Sequence, residues 1–448
     1  MTQSRLITII VVFLVFNAIV ATILFLNLDM SNSGSSQQEI SEGAEPLVAN
    51  VEQSEPSAPQ QNAQAETDST SDTAAEVVVD NGLIPELTSD ILSQFSPLPL
   101  LATPSDYQMT SQLVSLGRTL FYDPRLSVGQ QTSCNTCHPL SHYGVDRLPQ
   151  SLGHDGKFVS RNSPTVYNAA LHFAQFWDGR VETIEEQAKA PILNDDEMSM
   201  GSPEYVEQVI RSVPNYAPLF SAAFPGQENP ITFDNLATAI AAFERGLIIR
   251  SRLDFFLEGD YTQLTEQEQH GMVEFAQVGC IQCHTGATLG GQLYKKLGEI
   301  IPYPVKDQGR YQVTRAEDDR QVFKVPSLRN VGQTGPYLHD GSLHTLEEMV
   351  AFMARHQLGK ELSNKQIVDL VAFLNALTGE IPIDYIAEPP LPPSGPNTPK
   401  PGTQPATSSS DTSQSSLLPD NSLASVSVAK VTVANTLAES ALNSTAND

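Results

Sequence analysis

The sequence is poor in basic residues. Lys and Arg together number 25 against 52 Asp and Glu, so the formal net charge is −27, and neither basic residue occurs between Arg5 and Arg118. A nucleic-acid-binding protein needs a basic face, so this deficit excludes nucleic acid as a partner. Only 17% of the 448 residues are charged and 40% are hydrophobic. Both fractions are low for a chain that folds throughout, and we expect part of its length to lie outside a packed core.

Cysteine is also scarce, and all four cysteines fall in two C-x-x-C-H segments, CNTCH at 134–138 and CIQCH at 280–284. This is the attachment motif of c-type haem. Two thiols at this spacing can reach the two vinyl groups of one porphyrin, and the adjacent histidine then falls beneath the iron. A disulfide, a redox-active C-x-x-C or half of a zinc site are the alternatives for a single pair. Two motifs that use every cysteine favour two covalently bound haems c.

One long apolar run, from Leu6 to Leu28, contains no charged residue. Its 23 residues are enough to span the roughly 30 Å hydrocarbon core as a helix, whereas a signal peptide has an apolar core of about 7–15 residues and a small-residue cleavage site. We therefore expect residues 1–30 to be an uncleaved anchor, with a removed secretion signal as the alternative. Arg5 is the only charge before the run, which puts the N-terminus in the cytoplasm. The rest of the chain is then in the periplasm, anchored to the inner membrane.

Two segments have the composition of disordered chain. Residues 31–95 are rich in Ser, Gln, Glu, Ala and Thr, and residues 388–448 begin with a proline-rich stretch and continue rich in Ser and Thr. Low hydrophobicity of this kind cannot build a core. Between them we expect two domains, 96–246 and 247–387, each with one C-x-x-C-H motif.

The pattern of the core predicts a mainly α fold. Capping boxes and apolar residues at helical spacing mark several helices. The predicted helices are, in chain order, one within 234–250, one opened by Thr265–Glu268, one opened by Thr345–Glu348 that ends near His356 before Gly359, and one opened by Ser363–Gln366 that stops at Gly379. The order of helix, C-x-x-C-H, methionine and closing helix in the second half is typical of a small cytochrome c. We therefore predict two cytochrome c-like haem domains in tandem, flanked by a transmembrane helix and disordered tails.

The sixth ligand of each iron decides whether a haem carries electrons or does chemistry. For the second haem, Met349 and Met353 lie four residues apart on one predicted helix, and spacing alone allows either. For the first haem the candidates after the motif are His142, His154 and His172. His154 lies between two glycines, Gly153 and Gly156, with only Asp155 between it and Gly156, so it is on a segment that can move. A core methionine and an exposed loop histidine are the plain structural alternatives.

Eight stretches of the core resemble the bacterial di-haem cytochrome c peroxidase family. They are FYDPRLS at 121–127, SCNTCH at 133–138, RNSPTVYN at 161–168, QFWDGR at 175–180, EEQAKAPI at 185–192, GCIQCH at 279–284, PSLRNVGQTGPYLHDGS at 326–342 and DLVAFLNALTG at 369–379. The resemblance covers essentially the whole predicted core. It implies a peroxidatic haem in the N-terminal domain and an electron-transfer haem in the C-terminal domain.

The resemblance also implies the haem ligands. It assigns covalent attachment to Cys134, Cys137, Cys280 and Cys283, the proximal and resting distal ligands of the N-terminal haem to His138 and His154, and the ligands of the C-terminal haem to His284 and Met353. Met353 is preferred to Met349 because AFMARHQLG at 351–359 is similar to the methionine-containing stretch of the family. Related di-haem enzymes that oxidise protein side chains have tyrosine at this position.

Further site residues follow from the same resemblance. Trp177, the single tryptophan, would help electrons cross between the haems, with plain packing as the alternative. Gln187 and Glu197 match the peroxide site, although Glu197 follows two other acids and could be a solvated carboxylate. A calcium ion would bind the side-chain oxygen of Asn162 and the backbone carbonyls of Thr334 and Pro336, a hard-oxygen set that suits calcium.

The activity implied is reduction of hydrogen peroxide to water after reductive activation at the C-terminal haem. The electrons would come from a small periplasmic donor, a monohaem cytochrome c or a copper protein, and the family suggests a homodimer. Two alternatives remain open at this point. One is a non-catalytic di-haem electron-transfer cytochrome, and the other is a di-haem oxidase of a protein partner.

Overall fold

The computed structural model describes residues 82–403, and the fold is mainly helical, as predicted. The helices of the first half are α1 Ser89–Leu92, α2 Ser111–Tyr122, α3 Cys134–Cys137, α4 Ile184–Leu193, α5 Pro203–Arg211, α6 Tyr216–Ala223 and α7 Phe233–Glu244. Those of the second half are α8 Arg252–Leu257, α9 Glu266–Val278, α10 Tyr311–Thr314, α11 Leu346–Leu358, α12 Asn364–Asn375 and α13 Ile383–Ile386. Two short strands, β1 Tyr294–Lys296 and β2 Val322–Lys324, pair antiparallel with Tyr294 opposite Lys324.

Across residues 82–403 no helix is both long and apolar enough to cross a bilayer. The predicted anchor, residues 1–30, lies outside the described residues.

The predicted capping boxes are confirmed at α9, α11 and α12, where each N-cap hydroxyl and N3 side chain satisfy one another's backbone amides. Gly359 ends α11 in the left-handed conformation, with φ of 65°. One predicted end was wrong, since helix α12 stops at Asn375 instead of continuing to Gly379. Helix α7, Phe233–Glu244, begins one residue before the predicted range 234–250 and ends inside it. Beyond its end, a Cβ added at Gly246 would lie 2.0 Å from the Tyr385 hydroxyl.

Each half of the fold is organised around a pair of crossed helices. In the first half α2 packs on α7 with Leu116, Leu120 and Phe243 fully buried between them. In the second half α9 packs on α12 around buried Phe275 and Phe373, whose ring centroids are 5.4 Å apart. The two pairs support the predicted tandem of cytochrome c-like domains.

A glycine permits each close crossing. A Cβ added at Gly117 in α2 would lie 1.8 Å from the Ala239 carbonyl oxygen, and one added at Gly271 in α9 would lie 2.0 Å from the Asp369 carbonyl oxygen. These contacts are with backbone, so the helices themselves would have to separate. Glycine is therefore required at both crossings for steric reasons, and not for its backbone freedom.

We expect Gly117→Ala to lower the free energy of unfolding by at least about 1–3 kcal/mol, the usual range for overpacking a core. Thermal and denaturant unfolding of the variant would measure the loss. Gly129→Ala is the matched control, because its added Cβ meets only the His154 carbonyl oxygen at 3.6 Å. Equal stability of the two variants would contradict the crossing as described.

Both predicted disordered segments need correction at their inner ends. Residues 82–95 belong to the second core, where Ile84, Leu87 and Phe95 are buried, and a carboxylate oxygen of Asp254 accepts a 2.6 Å hydrogen bond from the Leu98 amide. Isolated apolar residues between polar ones were sufficient to anchor this segment. The remainder of 31–95, up to residue 81, lies outside the described residues.

The segment 388–403 runs along the first core. Arg125 donates to the Pro392 carbonyl oxygen at 2.8 Å, Gln130 to that of Pro399 at 2.8 Å, and the Gly402 amide to that of Val128 at 2.8 Å. Proline-rich chain has free carbonyl oxygens, and side chains of the first domain bind them. The rest of the tail, from 404, is outside the described residues.

Each terminal segment of the described chain therefore packs on the domain that is farther from it in sequence. The segment before 96 packs on the second core, whereas α13 and the segment after it pack on the first, where Ile386 is buried and the Tyr385 hydroxyl donates to the Phe243 carbonyl oxygen at 2.7 Å. Leu247 and Ile249 also belong to the first core. The linear boundaries at 96, 246 and 387 thus do not coincide with the packed units, because composition cannot indicate which core a segment joins.

Candidate active site

The first C-x-x-C-H motif forms a single helical turn, α3, directly before its histidine. Ser133 and Thr136 make a capping box, with the Ser133 amide donating to the Thr136 hydroxyl at 3.0 Å. The ring Nδ1 of His138 donates to the Gly144 carbonyl oxygen at 3.2 Å, since a carbonyl can only accept. That bond fixes the tautomer and leaves Nε2 as the ligand atom. Burial lowers the pKa of His138 and keeps the ring neutral.

The second motif follows α9, which ends at Gly279 with φ of 104°. Residues 280–282 form a 3₁₀ turn, and the Nδ1 of His284 donates to the Leu289 carbonyl oxygen at 2.9 Å. Burial lowers the pKa of His284 to about 4. Both histidines are therefore neutral at physiological pH, each held by a backbone carbonyl and with one nitrogen available for a metal.

Each motif faces its own cavity. Both cysteines and the histidine of the first motif line a cavity of about 470 Å³, and those of the second line a cavity of about 210 Å³. All four cysteines are free thiols. Burial raises the pKa of Cys137 to about 11 and that of Cys280 to about 12, the reverse of the lowered value that a redox-active C-x-x-C needs. The free thiols and their raised pKa values therefore do not favour a disulfide or a redox-active C-x-x-C.

A zinc site also receives no support. Within residues 82–403 no group of three or more His, Cys, Asp or Glu side chains could hold a metal ion. What the residues do fit is c-type haem, because each cavity has two thiols and one oriented neutral imidazole on its wall.

The residues predicted for the peroxide site lie on the wall of the first cavity. Gln187, on α4, and Glu197, just after it, both line this cavity. Burial raises the pKa of Glu197, and its Oε1 accepts a 3.0 Å hydrogen bond from the Asn194 amide nitrogen. Glu197 is thus not a solvated acid like its exposed neighbours Asp195 and Asp196.

The three histidines that sequence left open as sixth ligands lie in different places. His142 is exposed and lines neither cavity, whereas His172 lines both. His154 is half-buried outside the lining of the first cavity, and its amide donates to the Glu197 carbonyl oxygen at 2.7 Å. In this arrangement the loop that carries His154 binds the backbone of Glu197.

The second cavity is lined by both candidate methionines, Met349 and Met353, from α11. The structure therefore brings both onto the wall with His284 and does not choose between them. The three candidate calcium ligands, Asn162, Thr334 and Pro336, also line this cavity. The side-chain nitrogen of Asn162 donates to the Leu148 carbonyl oxygen at 3.0 Å.

The wall between the cavities contains Trp177. It lines both cavities, and its Nε1 donates to the Asn162 carbonyl oxygen at 2.9 Å. Its backbone carbonyl accepts from the Lys324 amide at 2.8 Å, which joins β2 to the same wall. Trp177 therefore contributes to the walls of both cavities.

Sequence reasoning missed several charged residues of the cavity walls, among them Glu244 and Lys324. Glu244 ends α7, is buried against the first cavity, and has its pKa raised to about 8 by burial and the nearby charge of Glu185. Lys324 ends β2 and lines both cavities. Glu244 lies one helical turn after Ile240 on an apolar helix face, and a carboxylate at that spacing could have been predicted to be buried. The triplet around Lys324 carries no such signal.

Comparison with known proteins finds a matching family model and several similar proteins. Residues 111–262 match the family model of di-haem cytochrome c peroxidase. Cytochrome c551 peroxidase of Pseudomonas aeruginosa is 42% identical over 315 residues, covering 68% of this chain and 90% of that protein. Cytochrome c551 peroxidase of Nitrosomonas europaea is 44% identical, covering 65% and 86%.

Two further comparisons extend the similarity. Methylamine utilization protein MauG of Methylorubrum extorquens is 34% identical, covering 62% of this chain and 81% of that protein. The crystal structure of a MauG-like protein associated with microbial copper homeostasis superimposes with a TM-score of 0.59 at 30% identity, covering 65% of this chain and 97% of the other. The resemblance predicted from the motifs is thereby confirmed, and the chain belongs to the bacterial di-haem cytochrome c peroxidase family.

Proposed function

We propose that the chain reduces hydrogen peroxide to two waters in the first cavity, with electrons that enter at the second. Its family makes it a cytochrome c peroxidase, an oxidoreductase with peroxide as acceptor and two c-type haems as cofactors. The single observation that carries the assignment of the two cavities is that Gln187 and Glu197 line only the first. A non-catalytic electron-transfer cytochrome would have no need of a buried carboxylic acid there.

The haem-binding roles follow from the cavity walls. Cys134 and Cys137 would hold one haem above His138, and the second motif would hold the other above His284. A bound haem supplies the electron storage and the oxidation–reduction chemistry. The protein supplies neutral imidazoles whose orientation is set by backbone carbonyls.

Glu197 is proposed as the group that moves a proton from one peroxide oxygen to the other. A carboxylate held at the reaction site can accept a proton and return it within one turnover. The Asn194 hydrogen bond holds the carboxyl group in one orientation, and burial brings its pKa closer to neutral pH. Gln187 would orient the peroxide with its amide group.

We further propose that His154 occupies the first cavity in the resting oxidised enzyme and leaves it after one-electron reduction at the second. The described arrangement supports the open state, since His154 does not line the cavity. In this state its backbone also holds Glu197. Opening the cavity and ordering the proton carrier are thus coupled through one hydrogen bond.

Trp177 and the proposed calcium ion both belong to the region between the cavities. Trp177 would shorten the electron path, because its aromatic ring lines both cavities at that wall, next to that of Phe176. Calcium would bind Asn162, Thr334 and Pro336. The Asn162 carbonyl oxygen accepts from Trp177, so an ion there would also hold the ring in place.

For the second haem we propose Met353 as the sixth ligand. We expect Met353→His to lower the potential of this haem, because a thioether favours ferrous iron more than imidazole does. Met349→His is the control on the same helix. A redox titration in which only Met349→His moved a potential would reverse the assignment.

Location, partners and assembly are proposed from the sequence. We propose a periplasmic enzyme anchored through residues 1–30, a small donor protein with haem or copper, a homodimer, and disordered chain in the outer parts of the tails. Mature protein that begins beyond Leu28 on N-terminal sequencing would replace the anchor by a cleaved signal.

The direct test of the function uses the full-length protein. A pyridine haemochrome assay should give two haems per chain. Peroxide turnover should be low in the fully oxidised protein and high in the half-reduced protein. Two bound haems without peroxide turnover in either state would favour a pure electron-transfer role.

A further inference from the structure

A buried lysine and a half-buried histidine meet at the wall that separates the two cavities. Lys324 is 8% exposed, and its Nζ lies 3.2 Å from the Nδ1 of His172. Both residues line both cavities. The proposed function gives neither residue a role.

Two groups of this pair are left incompletely bound, the ammonium group of Lys324 and the Nε2–H of His172. An ammonium group only donates hydrogen bonds, so Nδ1 of His172 accepts and the ring proton is on Nε2. That Nε2 is buried and has no hydrogen-bond partner within residues 82–403. In the same part of the chain Lys324 forms no ion pair, and Asp178, the acid whose charge acts on it, is already held by Arg161 at 2.7 Å and Arg180 at 3.2 Å.

Such an arrangement is unfavourable unless an anion completes it. An uncompensated buried charge and an unsatisfied buried N–H both destabilise a fold. Burial lowers the pKa of Lys324 to about 8, which is the response of an ammonium group without its anion. A carboxylate that reaches this wall from one of the cavities would supply both the negative charge for Lys324 and the acceptor for the Nε2–H of His172.

Each c-type haem has two propionate groups, which are carboxylates on the porphyrin edge. We propose that Lys324 and the Nε2–H of His172 bind a propionate of one haem at the wall between the cavities, and that Lys324 thereby raises the reduction potential of that haem. A nearby positive charge stabilises ferrous iron relative to ferric iron, because reduction removes one positive charge from the centre. Lys324 is then a positioning and tuning residue, and it acts on the iron through the propionate.

The position of the pair favours this role. The Lys324 amide donates to the Trp177 carbonyl oxygen at 2.8 Å, and the pairing of β2 with β1 holds the strand in place. The ammonium group is therefore held beside the proposed electron path. The inference rests on the proposed placement of one haem in each cavity.

The test compares Lys324→Met with Lys324→Arg in the full-length protein loaded with haem. Spectroelectrochemical titration of each haem should give a lower potential for one haem in Lys324→Met and a nearly native value in Lys324→Arg. Which of the two potentials moves identifies the haem whose propionate is bound. Lys296→Met is the matched control, because it removes an exposed charge from the neighbouring strand, and both of its potentials should be native.

Haem loading is measured separately by the pyridine haemochrome assay. Two haems per chain with both potentials unchanged in Lys324→Met would overturn the proposal and leave water as the partner of the pair. If Lys324→Met does not load both haems, His172→Leu carries the test. It removes the Nε2 donor but keeps Lys324, and it should move the same potential in the same direction by less. An unshifted His172→Leu would then reject the proposal, whereas failure of the native protein to bind two haems would instead reject the proposed function.

Discussion

Glu197→Gln should lower peroxide turnover by about 10²–10⁴-fold, the range in which a positioned acid–base group contributes. Glutamine keeps the size of the side chain and can still bond to Asn194, so the fold and the haem content should not change. It cannot accept a proton. Turnover of the half-reduced enzyme, with haem content measured on the same sample, tests this directly.

The control for this variant is Asp196→Asn. Asp196 is the adjacent acid in the chain and is exposed, so loss of its charge should leave turnover within about a factor of two, in line with the small effects of exposed charges. If both substitutions had the same effect, the general electrostatics of this loop would explain the result, and Glu197 would lose its proposed role.

The pH dependence gives an independent check. Glu197 must be ionised to accept the first proton, and burial raises its pKa. Turnover should therefore fall on acidification at a pH above the ordinary glutamate pKa of about 4.3. This acidic limb should disappear in Glu197→Gln, since the remaining slow reaction no longer depends on that ionisation.

His154→Gly should make the oxidised enzyme active without prior reduction. If the closed state holds roughly 99% of the resting molecules, its removal raises the open population, and hence oxidised-state turnover, by up to about 100-fold. Glycine retains the backbone amide that donates to the Glu197 carbonyl oxygen, so the proton carrier should remain in place. High-spin haem absorbance and peroxide turnover, before and after one-electron reduction, measure the effect.

His142→Gly is the matched control for this loop, because His142 is exposed and lines neither cavity. It should leave the oxidised enzyme inactive. A calcium chelator should slow activation of the native enzyme and affect His154→Gly less. Full activity of the untouched oxidised enzyme would show that the first cavity is always open and that His154 is only a loop residue.

Local sequence signals predicted the N-terminal ends of these helices well, because the capping residues and the helix start lie within one turn of each other. The boxes Thr265–Glu268, Thr345–Glu348 and Ser363–Gln366 each start a helix, because capping depends on residues within one turn of chain. The far ends were less predictable. Helix α12 ends at Asn375, before the glycine that was predicted to stop it, and the chain just beyond the end of α7 packs at Gly246 against Tyr385, over a hundred residues later.

The same limit explains the segments that were predicted to be disordered. Phe95 is buried between Phe275 and Phe373, with ring centroids 6.2 Å and 6.1 Å away. Nothing near Phe95 in the chain indicates those partners. The carbonyl oxygens of Pro392 and Pro399 are likewise bound by Arg125 and Gln130 of the first domain.

The sequence by itself determined the chemistry of this protein. A thiol pair with its adjacent histidine is a local unit, and its spacing specifies covalent haem wherever the chain folds around it. The tertiary structure decided which other groups meet that unit. It brought Glu197 and Gln187 to one cavity, put both Met349 and Met353 on the other, kept His154 outside the first, and joined Lys324 to His172 across 152 positions. The spacing of the haem motif is set by the covalent chain over five residues. Burial and charge depend instead on contacts between distant segments, and only the packed fold brings those segments together.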